Sequence, residues 1–131
     1  MKYRAGVIGC GRIGFEFDKD PKRKYIATHT GAYNHVKNVD LVAVCDTDKK
    51  RLKECVNRWN VPVGYSDLKD MLAKEDLDIL SICTLSSTHY PILKEAVKYP
   101  LKAIYCEKPI ADNKRNAAKM VKLCRERKII L

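Results

Sequence analysis

The chain has 131 residues, room for one domain with a buried core and too little for two. Its 46% hydrophobic and 32% charged residues are typical of a soluble globular protein, and no apolar run approaches the ~20 residues of a membrane span. The net charge of +10 raises nucleic acid as a partner, but the clusters at 49–53 and 122–128 interleave with apolar residues like solvated helix faces. No stacking aromatics are read beside these or the cluster at 19–24, so all three are expected to be solvated surface, with neither nucleic acid nor membrane as partner.

An apolar strand at 3–9 ends in Gly9-Cys10-Gly11-Arg12-Ile13-Gly14, which reads as a sharp turn into a helix beginning at 12. In a dinucleotide site Gly9 permits the tight turn, Gly11 lets the backbone approach a pyrophosphate, and Gly14 lets the helix pack closely on its strand. The diphosphate would sit on the unpaired amides of the helix start. The charged segment 16–24 carries Pro21 and interrupts this first crossover as a loop. Helix resumes over 27–36 with His29, Ala32, Tyr33 and Val36 as its apolar stripe. Strand 40–46 ends in Asp46, the acid expected on the adenosine ribose, displaced beyond its usual ~20-residue spacing by the inserted segment.

Asp48 caps the next helix, whose stripe is Leu52, Cys55, Val56 and Trp59. A short strand follows at 61–65, then a helix capped by Ser66 or Asp67 and carrying Leu68, Met71 and Leu72, then an apolar strand at 77–83. After the turn 84–89, Pro91 is placed in the first turn of a helix bearing Leu93, Ala96 and Val97. Strand 101–106 closes on Glu107-Lys108-Pro109. A long helix spans 113–127 with Ala117, Val121 and Cys124 inward, and a sixth apolar strand starts at 128. Such alternation implies an α/β fold with an open, doubly wound parallel sheet, one domain over 1–131.

The six cysteines form no C-x-x-C pair and no metal-spaced set with histidine. They are expected to be reduced core residues of a cytoplasmic protein without metal, and no signal peptide is visible.

Ligands of such sheets bind beyond the C-terminal strand ends, where four segments converge: 9–14, Asp46, 84–89 and 107–109. Asp46 would accept from both ribose hydroxyls and repel a 2′-phosphate, favouring NAD, although Lys49, Lys50 and Arg51 leave NADP open. Thr84 and Ser86 offer hydroxyls to a ligand or simply to their own turn. His89 is either a ligand group or a helix-start residue. Glu107 and Lys108 are either an exposed strand-end pair or, at a buried strand end, charges that need partners, and Lys108 is then placed to hold a substrate hydroxyl or relay its proton.

With these segments in place the chain resembles the N-terminal domain of the glucose–fructose oxidoreductase, inositol dehydrogenase and rhizopine-catabolism (Gfo/Idh/MocA) family. The resemblance rests on GVIGCGRIG at 6–14, His29, LVAVCD at 41–46, YSDLKDML at 65–72, LDILSICT with His89 five residues on, and CEKP at 106–109. It implies that Gly9, Gly11, Arg12, Ile13, Gly14 and Asp46 hold the adenosine diphosphate half, that Thr84, Leu85, Ser86 and His89 line the cofactor cleft, and that Glu107 and Lys108 lie by the nicotinamide ribose and the substrate. It further implies hydride exchange with a hydroxyl-bearing carbon of a sugar, cyclitol or related polyol. The family's second α/β domain, which supplies the substrate pocket, the principal acid/base histidine and the usual oligomer interface, is expected to be missing. The chain alone would then be catalytically incomplete and completed by self-association or a partner chain. The alternative reading is a non-catalytic dinucleotide-binding regulator or redox sensor. The segment 15–28 departs from the family, which runs directly from the third glycine into its helix.

Overall fold

The computed structural model describes residues 1–131. Strands β1 (Tyr3–Ile8), β2 (Val39–Cys45), β3 (Val63–Tyr65), β4 (Ile79–Ile82) and β5 (Ala103–Cys106) form one parallel sheet in the order β3-β2-β1-β4-β5. Strand addition runs outward from β1 on one side and restarts at β4 on the other, so the switch in strand order lies between β1 and β4. Ala103 also bridges Ile130 in parallel, the first contact of the sixth strand expected from the sequence.

Five helices form the crossovers: α1 (His29–His35), α2 (Lys49–Trp59), α3 (Leu68–Lys74), α4 (Ser86–Ala96) and α5 (Lys114–Glu126). Their starts are specified locally, since the side chains of Asp48, Asp67 and Asn113 accept from amides of the first turns of α2, α3 and α5. Both sheet faces are covered. Ile8, Cys45, Leu80 and Ile82 pack with Met71, Leu93 and Met120 in one cluster, while Val7 and Val44 meet Phe15, Cys55 and Val61 in the other. Each fully buried side chain of this size contributes about 1.5–3 kcal/mol of burial energy. All six cysteines are free thiols.

Several sequence expectations need correction. No regular helix starts at 12: residues 11–15 make one wide turn, in which Phe15 and Glu16 amides both donate to the Gly11 carbonyl, followed by a 3-10 helix at Glu16–Lys19. The carbonyls of Ile13 and Gly14, which a continuous helix would pair with the amides at 17 and 18, instead accept from His29 and Thr30. The segment between them is therefore looped out of a helix that continues beyond it. Because α1 docks by its first turn, its buried residues are Thr30 and Gly31, whereas Val36 is exposed.

Helix α4 starts at Ser86, before the expected position, with Pro91 inside it. In α5 the buried residues are Met120 and Cys124, and Val121 is exposed. Of the expected stripe, Cys124 is buried and Ala117 half-buried, while Met120 takes the inward place expected of Val121, since Met120 and Cys124, four apart, share one face.

Candidate functional site

The glycine turn sits at the end of β1, beside the switch point. Gly9 adopts φ +93 and donates its amide to the Cys45 carbonyl at 2.8 Å, and a Cβ there would lie 2.7 Å from the Cys83 carbonyl oxygen. A Cβ on Gly14 would collide with the Gly9 carbonyl oxygen. At Gly11 the position of a Cβ is open, with Arg51 Nη1 its nearest neighbour at 4.0 Å. The amides of Gly11, Arg12, Ile13 and Gly14 donate to no acceptor in the protein. Four unused donors beside a side-chain-free backbone fit a bound diphosphate, whose oxygens would satisfy them.

Asp46 closes the other side of this turn. Its Oδ2 accepts from the Cys10 amide at 2.8 Å and its Oδ1 from the Asp48 amide at 2.7 Å, with Arg51 Nη2 at 3.5 Å. The carboxylate is buried and braces the glycine turn, while Oδ2, with one donor, keeps a further acceptor site for a ribose hydroxyl. Burial, reinforced by the Asp46 charge, pushes the Cys45 thiol up to about 12. The hydrogen bond with Cys55 and then burial push Cys10 up as well.

Across the cleft, Thr84 Oγ1 accepts from the Thr88 hydroxyl at 2.6 Å, Leu85 stands 77% exposed, and Ser86 opens α4. His89 is buried. Its Nδ1 lies 3.1 Å from the Pro109 carbonyl and its Nε2 2.9 Å from the Thr84 carbonyl, so the ring clasps the turn after β4 to the turn after β5 and does not face the cleft.

Glu107 and Lys108 have different surroundings. Glu107 Oε1 accepts from His29 Nε2 at 2.8 Å, while His29 Nδ1 meets Ser81 Oγ at 2.9 Å and Ser81 Oγ meets the Tyr33 hydroxyl at 2.7 Å. Burial opposes ionisation of Glu107, but the His29 hydrogen bond, the Lys108 amide and the nearby charges prevail and hold its carboxyl below the usual range. Lys108 is exposed and its ammonium pairs with no carboxylate. A cavity of about 410 Å³ opens beside both, walled by Tyr105, Cys106, Ile110 and Leu131.

The fold thus brings the glycine turn, Asp46, the 84–86 turn, Glu107 and Lys108 to one edge of the sheet. Sequence reasoning missed Ser81 and Tyr33 as supports of His29. The available signal was Ser81 itself, a lone hydroxyl within an apolar strand buried on both faces. No helix is long and apolar enough to cross a membrane.

The profile "Oxidoreductase family, NAD-binding Rossmann fold" (Gfo/Idh/MocA) matches residues 3–131. The D-apiose dehydrogenase of Paraburkholderia graminis is 28% identical over 123 residues, 94% of this chain and 29% of its own length. The inositol 2-dehydrogenase of Burkholderia vietnamiensis is 31% identical over 112 residues, 85% of this chain and 30% of its own. Among solved structures, the WlbA dehydrogenase from Bordetella pertussis in complex with NADH and UDP-GlcNAcA superposes with TM-score 0.82 at 30% identity, covering 98% of this chain and 36% of that one. The chain spans about a third of the length of these relatives.

Proposed function

Because this chain belongs to the Gfo/Idh/MocA oxidoreductase family and is its NAD-binding Rossmann domain, we propose that it carries the dinucleotide for a dehydrogenase acting on a sugar, cyclitol or related polyol. Hydride exchange with a hydroxyl-bearing carbon is the chemistry a nicotinamide supplies when bound. The observation that carries the reading is the set of four unpaired amides at Gly11–Gly14, held in place by Gly9 and by the Asp46 carboxylate.

In this reading the Gly11, Arg12, Ile13 and Gly14 amides bind the diphosphate, and Asp46 accepts from the adenosine ribose. Thr84, Leu85 and Ser86 line the cleft, and His89 fixes the relation of that turn to the 107–109 turn. Glu107, held by His29, accepts from the nicotinamide ribose. Lys108 stays free to hold a substrate hydroxyl and to take or return its proton.

A substrate pocket and a complete acid/base set require further protein surface, and the exposed apolar edge at Tyr105, Val121 and Ile130 supports packing against a second copy or another domain. The six reduced thiols support a reducing compartment such as the cytoplasm.

Calorimetric titration of NADH and NADPH into the purified chain, with Gly11→Ala as the control, tests the cofactor reading. Saturable NADH binding that weakens in the variant supports it, and absence of binding by either nucleotide overturns it.

A further inference from the structure

The looped-out segment 15–28 takes part in aiming the unpaired amides of the glycine turn. The C=O and N–H of a planar trans peptide point to opposite sides, so a hydrogen bond that fixes a carbonyl also aims the amide of the next residue. The Gly11 carbonyl accepts from the Phe15 and Glu16 amides at 2.8 and 2.9 Å, the Arg12 carbonyl from the Phe17 amide at 3.0 Å, and the Ile13 carbonyl from the His29 amide at 3.1 Å. The amides so aimed are those of Arg12, Ile13 and Gly14, three of the four that donate to no acceptor in the protein. The first two depend on donors within the segment, and the third on where the chain returns from it.

Asp18 joins the exit of this segment to its return. Its Oδ1 accepts from the Ala27 amide at 2.7 Å and its Oδ2 from the Thr28 hydroxyl, so the residue after Phe17 is tied to the two before His29. Thr28 in turn caps α1, accepting from the Gly31 amide at 3.1 Å. Thr30 donates its hydroxyl at 2.7 Å and its amide at 3.1 Å to the Gly14 carbonyl. Both threonines are buried, and a Cβ at position 31 would collide with the Asp18 carboxylate, so Gly31 leaves the room that Asp18 occupies. Other contacts fasten the segment elsewhere. Arg58 Nη2 donates to the Asp18 carbonyl at 2.8 Å, Lys19 pairs with Glu54 at 2.5 Å, and Arg23 lies 4.4 Å from the Phe17 ring. The cluster at 19–24, read from the sequence as solvated surface without aromatics, therefore packs on one. None of these contacts spans from the exit to the return, which the Asp18 side chain does.

We propose that Asp18 is a positioning residue of the dinucleotide site, an inference that rests on the cofactor reading given above. In a continuous helix the carbonyls of Ile13 and Gly14 are held by amides four residues on. Here the chain leaves after Phe17, and the Asp18 carboxylate brings it back where the His29 and Thr30 amides meet those carbonyls. Hydrogen bonds to an ionised group are the stronger kind, suited to closing a loop against its entropy. Without this clasp the Arg12, Ile13 and Gly14 amides are free to turn from the direction a diphosphate needs. Affinity built on preorganised donors then falls although no ligand contact has been removed.

The test compares Asp18→Ala, Asp18→Asn and Arg58→Ala in the full chain, by NADH calorimetry and by proton–nitrogen correlation spectra of the free protein. Asp18→Ala, at a half-buried position in a surface segment, should stay folded, weaken NADH about tenfold and move the Arg12, Ile13 and Gly14 amide signals. Asp18→Asn keeps the clasp, its carbonyl oxygen accepting from the Ala27 amide and its NH₂ donating to the Thr28 hydroxyl oxygen, so NADH affinity should stay within about threefold of wild type. Arg58→Ala removes a tie to α2 and not the clasp, so NADH affinity and the three signals should be unchanged. Unmoved signals or unchanged NADH affinity in Asp18→Ala, an Asp18→Asn protein as weak as Asp18→Ala, or an equal loss in Arg58→Ala overturns the inference. Wild-type protein that binds no NADH, while the three signals move in Asp18→Ala, overturns the cofactor reading and supports the coupling of Asp18 to the turn.

Discussion

His29 Nε2 donates to Glu107 Oε1 at 2.8 Å, joining side chains 78 positions apart in sequence. The pairing survives a long loop between the third glycine and α1 because the His29 and Thr30 amides take over the carbonyls of Ile13 and Gly14. An insertion that re-enters the hydrogen-bond ladder where it left leaves the glycine turn and the start of α1 in register. The four unpaired amides and the Glu107 carboxylate are therefore presented together despite the loop.

Replacing His29 by Ala should expose this link through pH. Glu107 has a folded-state pKa below its unfolded value, so its contribution is fully present above the unfolded pKa of ~4.3 and is lost as pH falls through the folded one. At neutral pH His29→Ala should lower stability by about 2 kcal/mol, the usual worth of a hydrogen bond to a charged group. Urea unfolding from pH 7 down to about 3 should show the gap between wild type and variant narrowing as Glu107 protonates. A gap of constant size would mean that the ionised carboxylate contributes nothing.

Two glycines of one motif should behave oppositely. Gly14→Ala drives a Cβ into the Gly9 carbonyl oxygen, a backbone atom that cannot swing aside, and should give insoluble or largely unfolded protein. Gly11→Ala meets only open space, so its melting temperature should stay near wild type while its NADH affinity falls at least tenfold. Thermal melts together with calorimetry distinguish the two.

The strands are legible in the sequence because parallel strands covered on both faces read as apolar runs, as at 77–83 and 101–106. The caps Asp48, Asp67 and Asn113 were equally local signals, since each acts on amides only two or three residues away. Pro91 suggests a later start for α4 than the one observed, because proline favours a helix's first turn, yet the structure carries it inside the helix between the buried His89 and Leu93. The re-entry at His29 and the clasp of His89 on the Pro109 carbonyl had no local signature. Both are hydrogen bonds between segments that only the finished sheet brings together.

Cysteine chemistry follows from burial. Desolvation pushes the Cys45 thiol to about 12 and Cys106 to about 11, and raises Cys83 and Cys124 too, so none carries appreciable thiolate at neutral pH. Native protein at pH 7.5 should react slowly with a thiol-specific disulfide reagent, with Cys106, the least buried of the six, labelled first. The same reagent in denaturant should titrate all six. Rapid labelling of Cys10 or Cys45 in native protein would show that the glycine turn opens readily.

Asp46 offers the sharpest test of how the cleft chooses its nucleotide. If the carboxylate acted only by repelling a 2′-phosphate, Asp46→Asn would move preference from NADH toward NADPH. Yet both of its oxygens already accept from backbone amides, those of Cys10 and Asp48, so an asparagine in either orientation sets an NH₂ against an N–H. Asp46→Asn should therefore lose stability by about 2 kcal/mol and weaken NADH and NADPH together, as Asp46→Ala should too. Calorimetry of both nucleotides on both variants, with melts alongside, decides between bracing and repulsion. A stable Asp46→Asn protein with improved NADPH affinity would show that charge at the ribose, and not support of the Cys10 amide, is what Asp46 contributes.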